Sequence, residues 1–243
     1  MQKVQAVISR TYAVYHMNQN INKKLYYDIK GNNFHQKYDG HHYYKHLKKA
    51  IDETSGEIIT YKNKPILAMF DCCCGGITTA NMANKDFSTH PYLSRHATCN
   101  FCNKYARYKW EKSISIENLI KKLKTDINLA KKFVCVKKFI NIKIIKQDKA
   151  GIVKKIKFIY SNKNIVITGN QLWDKLKDII YSLNFKIKKN NNKIIFTGNG
   201  YGHQMGLCQF GAKELIDKGL DYKKVIRFYY PGINFGRLQY ATV

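Results

Sequence analysis

The segment FINIKIIKQDKAGIVKKIKFIY, residues 139–160, alternates apolar and polar side chains on either side of a turn from Asp148 to Gly151. Such a period of two suits a half-buried strand, because successive side chains of an extended chain point to opposite faces of a sheet. NFKIKKNNNKIIFTG, residues 184–198, repeats the signal. Two antiparallel hairpins are therefore expected. EIITYKNKPILAMFDCC, residues 57–73, adds two strands around a Lys62–Pro65 turn. Elsewhere the spacing is helical. Residues 2–17 set Val4, Val7, Ile8, Thr11, Tyr12 and Tyr15 near one face, and Leu47–Glu53 and residues 114–133 follow the same rule. Residues 164–183 read as a strand, a turn in which Asn170 caps, and a helix. Residues 77–112 look irregular and rich in His, Cys and aromatics. The expected fold class is α+β, with mixed helices and antiparallel hairpins. No repeat or long linker divides the chain, so one domain is expected over 1–243, with lobes at 1–112 and 113–243.

The second hairpin feeds GNGYGHQMGLCQFGAKEL, Gly198 to Leu215, where four glycines and His203 crowd into nine residues before a helix begins. Glycine lets backbone approach something closely, since no Cβ intervenes. The spacing is neither that of a P-loop nor that of a dinucleotide-binding turn. On these residues alone, what approaches the backbone is left open.

The formal charge of +27 raises the question of a polyanionic partner. Only five of the 43 basic residues are arginine, at positions 10, 95, 107, 227 and 237. A phosphate-reading surface leans on Arg, whose fork grips phosphate bidentately. Lysine here travels with Ile, Asn and Tyr, as an AT-rich coding sequence would produce. Nucleic acid is therefore not the expected partner; a basic binder would show duplex affinity that falls steeply with salt. No apolar run approaches the length of a membrane span. MQKVQAVISRTYAVYHM has polar residues every few positions and no small-residue cleavage site, so it is not read as a signal peptide, and the chain as written would stay in the cytoplasm.

Five ordered blocks resemble one known family. The closing stretch, through Tyr229, Tyr230, Pro231 and Gly232, is similar to the GxGWGHGxGMSQYGA signature and Tyr-Tyr-Pro-Gly ending of the stage II sporulation protein D, or amidase-enhancer, family. Tyr201, Gly202, His203, Gly206, Gln209, Phe210, Gly211 and Ala212 occupy matching places. QAVISRTYAVY resembles that family's QAVAARTYxxY helix, and FHQKYDG its SQVYxG segment. The block from Glu53 to Thr78 resembles ATxGxVLTYNGKPIxAxFHSxCGGxT, with Gly56, Pro65, Cys74, Gly75 and Gly76 in register. ITGNQLWDKL and FTGNGYGH follow in order.

The resemblance implies a peptidoglycan lytic transglycosylase, which cuts glycan strands where peptides have been stripped away, or a protein that stimulates a cell-wall amidase. It implies the cell envelope as location. In such an enzyme one Glu protonates the glycosidic oxygen, then accepts the proton of the muramic acid C6 hydroxyl as a 1,6-anhydro ring closes. Water and a second carboxylate are not needed, unlike glycoside hydrolysis. In the family's EALKAQAVAARTY helix the Glu comes five residues before the Gln that matches Gln5, so it would stand immediately before Met1 and none of the 243 residues fills it. Two expectations compete: a displaced start or fragment, and a homologue that binds glycan without cutting. Among nearby acids, Asp28, Asp39 and Asp71, only Asp71 is weighed as a replacement, standing where the family often has His. From the resemblance, Arg10, Tyr12, Tyr201, His203 and Gln209 are candidates for substrate contact, with Arg10 alternatively shaping the groove or making a structural ion pair and His203 alternatively satisfying backbone in a tight turn; the glycines would let an extended polysaccharide polymer lie against bare backbone.

The seven cysteines are Cys72, Cys73, Cys74, Cys99, Cys102, Cys135 and Cys208. HPYLSRHATCNFC places His90, His96, Cys99 and Cys102 within thirteen residues. A CxxC pair, an imidazole and a distant Cys make a tetrahedral structural zinc site. The favoured set is Cys74, His96, Cys99 and Cys102, with His90 in reserve; some family members carry zinc near this loop. Disulfides are the alternative. Cys135 and Cys208 are read as small core residues.

Overall fold

A computed structural model describes residues 1–20, 26–32, 35–36, 39–40, 43–83 and 87–238. Among the described residues the helices, in chain order, are α1 (Gln2–Asn20), α2 (Lys45–Glu53), α3 (Ile116–Leu123), α4 (Ile127–Lys132), α5 (Gly169–Lys175), α6 (Gln209–Asp217) and α7 (Tyr222–Tyr229). The strands are β1 (Glu57–Tyr61), β2 (Lys64–Pro65), β3 (Phe70–Asp71), β4 (Lys109–Ser115), β5 (Phe139–Gln147), β6 (Val153–Tyr160), β7 (Asn164–Thr168), β8 (Phe185–Asn190), β9 (Lys193–Asn199), β10 (Leu207–Cys208) and β11 (Asn234–Arg237). Helices and antiparallel sheets make the fold α+β. No helix among the described residues is long and apolar enough to cross a membrane.

The chain forms two compact units, interleaved in sequence. The first contains Met1–Phe70, Asp86–Ala97 and Met205–Val243; the second contains Asp71–Lys85 and Thr98–Gln204.

In the first unit α1 buries Val4, Val7, Ile8 and Thr11 and packs on β1 and α2. Thr11 fixes the contact: its Oγ1 donates to the Val7 carbonyl at 2.7 Å and accepts the Ile59 N–H at 2.9 Å. β1 lies between β11 and β2, with Ile59 opposite Phe235 and Thr60 opposite Pro65. The two residues joining β1 to β2, Lys62 and Asn63, have φ of 49° and 60°. Left-handed conformation at both positions is what a tight hairpin turn with the right strand twist requires. Arg95 is buried, with Phe228 and Tyr229 rings each 5.5 Å from its guanidinium carbon. It also donates to the Ala97 carbonyl.

The second unit holds the expected hairpins, as the three-stranded sheets β5-β6-β7 and β4-β9-β8. Asp148 closes the first hairpin, its Oδ1 accepting the N–H groups of Ala150 and Ile152. Phe158, Phe185, Ile194 and Phe196 are buried, while lysines at alternate positions face solvent. Two local expectations change. Thr168, not Asn170, caps α5: its hydroxyl accepts Gln171 N–H at 3.1 Å, and Gln171 Oε1 accepts Thr168 N–H at 2.9 Å. That reciprocal pair satisfies two end groups, which Asn170 inside the first turn cannot do. The helix expected over 114–133 is two helices, because Asp126 accepts the N–H groups of Asn128 and Leu129 and starts α4 afresh.

Candidate functional site

In the second unit, β9 ends at Asn199 and the chain turns against its own Cys73. Tyr201 N–H donates to the Cys73 carbonyl at 2.8 Å, and Cys73 N–H returns a bond to Tyr201 at 3.0 Å. A Cβ at Gly198 would lie 2.3 Å from the Trp110 ring, one at Gly200 2.8 Å from the Cys73 carbonyl, and one at Gly202 2.8 Å from Asp71 Cβ. Those glycines make room for the chain's own atoms, a different reason from the polymer-facing backbone that the resemblance implies. Asp71 is buried and its Oδ2 accepts Gln204 N–H at 2.5 Å. Gln204, left-handed at φ 63°, sends its amide to the Cys74 carbonyl at 2.8 Å. Asp71 thus serves to hold the loop. Asp28 and Asp39 are exposed. His203 is half-buried in this loop, and the Tyr201 ring meets Tyr181 edge-on at 5.4 Å.

The first unit contains a cavity of about 460 Å³ between α1, α2 and α6, lined among others by Met1, Gln5, Ser9, Leu47, Gln209 and Phe210. Gln209 sits in the first turn of α6 and donates from Nε2 to Gln5 Oε1 at 3.1 Å. Gln5 in turn donates to Ser9 Oγ at 2.9 Å, one turn along α1. This relay fixes both amides along a wall that is otherwise largely apolar. Two of its lining side chains, Ala6 from α1 and Ala50 from α2, are short. The pairing of the two glutamines escaped sequence reasoning, although both lie in motif blocks.

Arg10 and Tyr12 share α1 but lie on different faces, two residues being about 200° of helical rotation. Arg10 Nη1 donates to the carbonyls of Thr54 at 2.7 Å and Glu57 at 2.8 Å, bracing the turn that leads into β1. Tyr12 is half-buried against His16, with ring centroids 4.4 Å apart, and Tyr15 OH lies 3.2 Å from His90 Nε2. Burial pushes the hydroxyls of Tyr12 and Tyr15 above the ordinary tyrosine value. Of FHQKYDG, residues 34, 37 and 38 lie outside the described residues; Gln36 donates to the Ser9 carbonyl at 3.0 Å.

The cysteines of the second unit converge. Cys74, Cys99 and Cys102 are buried, with Sγ atoms within 4.8 Å of one another. Cys74 and Cys102 sulfurs are 3.8 Å apart. Two thiolates on one tetrahedral zinc, at Zn–S of about 2.3 Å, sit about 3.8 Å apart. No disulfide joins any of the seven cysteines. Tyr108 covers this group; burial first, then the neighbouring Cys102, Cys74, Cys73 and Cys99, raise its hydroxyl pKa. His96 departs from the expected ligand set: it is exposed and belongs to the first unit, and no ion-holding group among the described residues includes it. His90, the reserve, is engaged with Tyr15 in the first unit. Cys208 is buried and its Sγ accepts Gly211 N–H at 3.4 Å at the start of α6. Cys135 is exposed with φ of 53°, not the core residue expected.

Residues 32–206 match the family model described as Domain of unknown function (DUF8618), and residues 1–61 match the Stage II sporulation protein model. Stage II sporulation protein D of Bacillus amyloliquefaciens is 28% identical over 203 residues, 80% of this chain and 53% of that one. The amidase enhancer of Bacillus subtilis is 25% identical over 277 residues, 95% of this chain and 37% of that one. The chain belongs to the DUF8618 family and to the stage II sporulation protein D and amidase-enhancer family. An uncharacterized protein of Brachyspira hyodysenteriae is 36% identical over 235 residues, 96% of this chain and 60% of that one. The chain therefore spans only about half the length of these relatives. Within the stage II sporulation protein D family match, residues 1–61 contribute α1 and α2, which line the cavity.

Proposed function

We propose that this chain binds the glycan strands of peptidoglycan in the cavity beside α1 and α6, and that it acts there as a lytic transglycosylase wherever a glutamate stands at the edge of that cavity. The observation carrying this reading is the lining of the cavity by Met1 together with the Gln5–Gln209 pair. Consecutive Cα atoms are about 3.8 Å apart. A glutamate joined to Met1 would therefore lie at the edge of the same cavity. Apolar walls suit the faces of a pyranose, and the two amides suit its hydroxyl and acetamido groups. The same apolar walls would raise the pKa of a carboxyl there, keeping the proton that the leaving oxygen must receive. After bond cleavage the carboxylate would accept the proton of the C6 hydroxyl that closes the anhydro ring.

The amidase-enhancer name of one relative favours a second role for the same binding, in which the chain holds glycan while a cell-wall amidase acts. Both readings place the protein's work at the cell wall. They share one test: sedimentation of the chain with peptide-free glycan. Gln209→Ala should weaken binding about tenfold, the loss of roughly 1.4 kcal/mol that removing amide hydrogen bonds to a sugar produces. Unaltered affinity in a variant that still melts like the parent would rule out the cavity as the glycan site.

We further propose a structural zinc ion on Cys74, Cys99 and Cys102. Zinc would tie the loop after β3 to the CxxC turn, and it supplies no step of the glycan chemistry. The purified chain should hold about one zinc per molecule. Replacing Cys74, Cys99 or Cys102 by Ser should empty the site and lower Tm, whereas His96→Ala should retain the metal. Extending the series to Cys72, Cys73, Cys135 and Cys208 names the fourth ligand. Full zinc content in Cys99→Ser would remove the proposal.

A further inference from the structure

Arg107, on the turn before β4, is exposed, yet its guanidinium is confined between aromatic rings. Its central carbon lies 4.8 Å from the Tyr201 ring and 5.1 Å from the Tyr181 ring, and those rings are 5.4 Å apart at an interplanar angle of 67°. Trp110 backs Tyr181 at 5.5 Å, and Lys112 Nζ lies 5.7 Å from the same ring. Tyr201 is itself pinned by the paired bonds to Cys73. Among the described residues no carboxylate is ion-paired with Arg107, and its N–H groups make no hydrogen bond to them. Ordinary surface arginines are flexible. This one has its rotamer set by two ring faces and its five donors left over.

A planar fork held in this way is preorganised for a two-oxygen anion, which it grips with two parallel charge-assisted bonds. The half-buried faces of Tyr181 and Tyr201 beside it offer apolar area to a ring. A ligand using both features is a cyclic molecule bearing a carboxylate. We infer that Arg107, Tyr181 and Tyr201 form an acid-sugar subsite, which reads the free lactyl carboxylate of muramic acid in peptide-free glycan. This rests on the proposed glycan reading and adds the reason peptide-free strands are bound: a peptide amide on that carboxyl removes the anion Arg107 would grip. A polyol phosphate supplies an anion without a ring face, and is the less suitable source of the charge.

The test compares peptide-free glycan with the same glycan after its carboxyls are converted to neutral methylamides, at about 0.15 M salt, where the general field of the lysines is screened beyond about 8 Å. The parent chain should prefer the acidic form about tenfold, as a bidentate charge-assisted contact allows. Arg107→Gln and Arg107→Lys should both lose that preference, binding the acidic glycan no more tightly than the neutral one. Lysine keeps the charge but neither the fork nor the stacking. Full preference in Arg107→Lys would overturn the subsite, leaving only the net field. Equal binding of both glycans by the parent would overturn the subsite and leave the glycan reading intact; binding of neither would overturn both. A glycerol-phosphate polymer or an oligothymidylate held more tightly than acidic glycan, and lost in Arg107→Gln, would show that the site reads phosphate and contradict the acid-sugar assignment.

Discussion

Gly206→Ala should leave the first unit unable to fold stably. A Cβ at this position would lie 1.8 Å from the Met69 carbonyl oxygen and 2.7 Å from its carbon, where no atom fits. Backbone cannot easily move away, because that carbonyl accepts the Leu207 N–H at 3.0 Å and the buried Tyr230 hydroxyl at 2.6 Å. Opening the gap breaks both bonds around a buried acceptor. The residue also has φ of 70°, a conformation side chains disfavour by roughly 1–2 kcal/mol. Steric displacement and two lost bonds together should exceed about 4 kcal/mol, a large share of the roughly 5–15 kcal/mol that holds a typical domain folded. Gly219 supplies the contrast. Its φ is 87°, yet nothing lies within 4 Å of a Cβ built there, so Gly219→Ala should cost only about 1–2 kcal/mol. Urea unfolding of the pair separates packing from conformation. Equal midpoints for the two variants would refute the close approach at Met69.

How much of this was visible beforehand follows from the physics of each element. The hairpins were legible because alternation along residues 139–160 and 184–198 encodes two faces directly, and Asp148 closes its turn locally. Caps were less legible. Thr168 and Asn170 both have suitable side chains, and only the return bond from Gln171 decides between them. The two-unit arrangement was hidden, because residues 86–97 and 205–243 join the unit that begins the chain, a long-range choice with no local sequence mark. The glycine cluster was conspicuous, but its cause was not. Spacing announces that something approaches the backbone; it does not say that Trp110, Asp71 and Met69 are what approaches. Likewise a CxxC with neighbouring histidines suggested mixed ligands, whereas burial separates the cysteines from an exposed His96. The role of Arg107 left no signal, since its ring partners are 74 and 94 residues further along the chain at positions 181 and 201.

The cavity beside α1 is the centre of the functional account, and catalysis there needs one carboxyl at its edge. Two forms of the chain should be compared, one with glutamate and one with glutamine immediately ahead of Met1, each incubated with peptide-free glycan. Mass spectrometry of the digests reports 1,6-anhydromuramyl ends. The glutamate form should release them, with the glutamine form about 10²–10⁴-fold slower, the span general acid–base catalysis provides. Equal release from both forms, or none from a glutamate form that still sediments with the glycan, would contradict the assignment of catalysis to that edge.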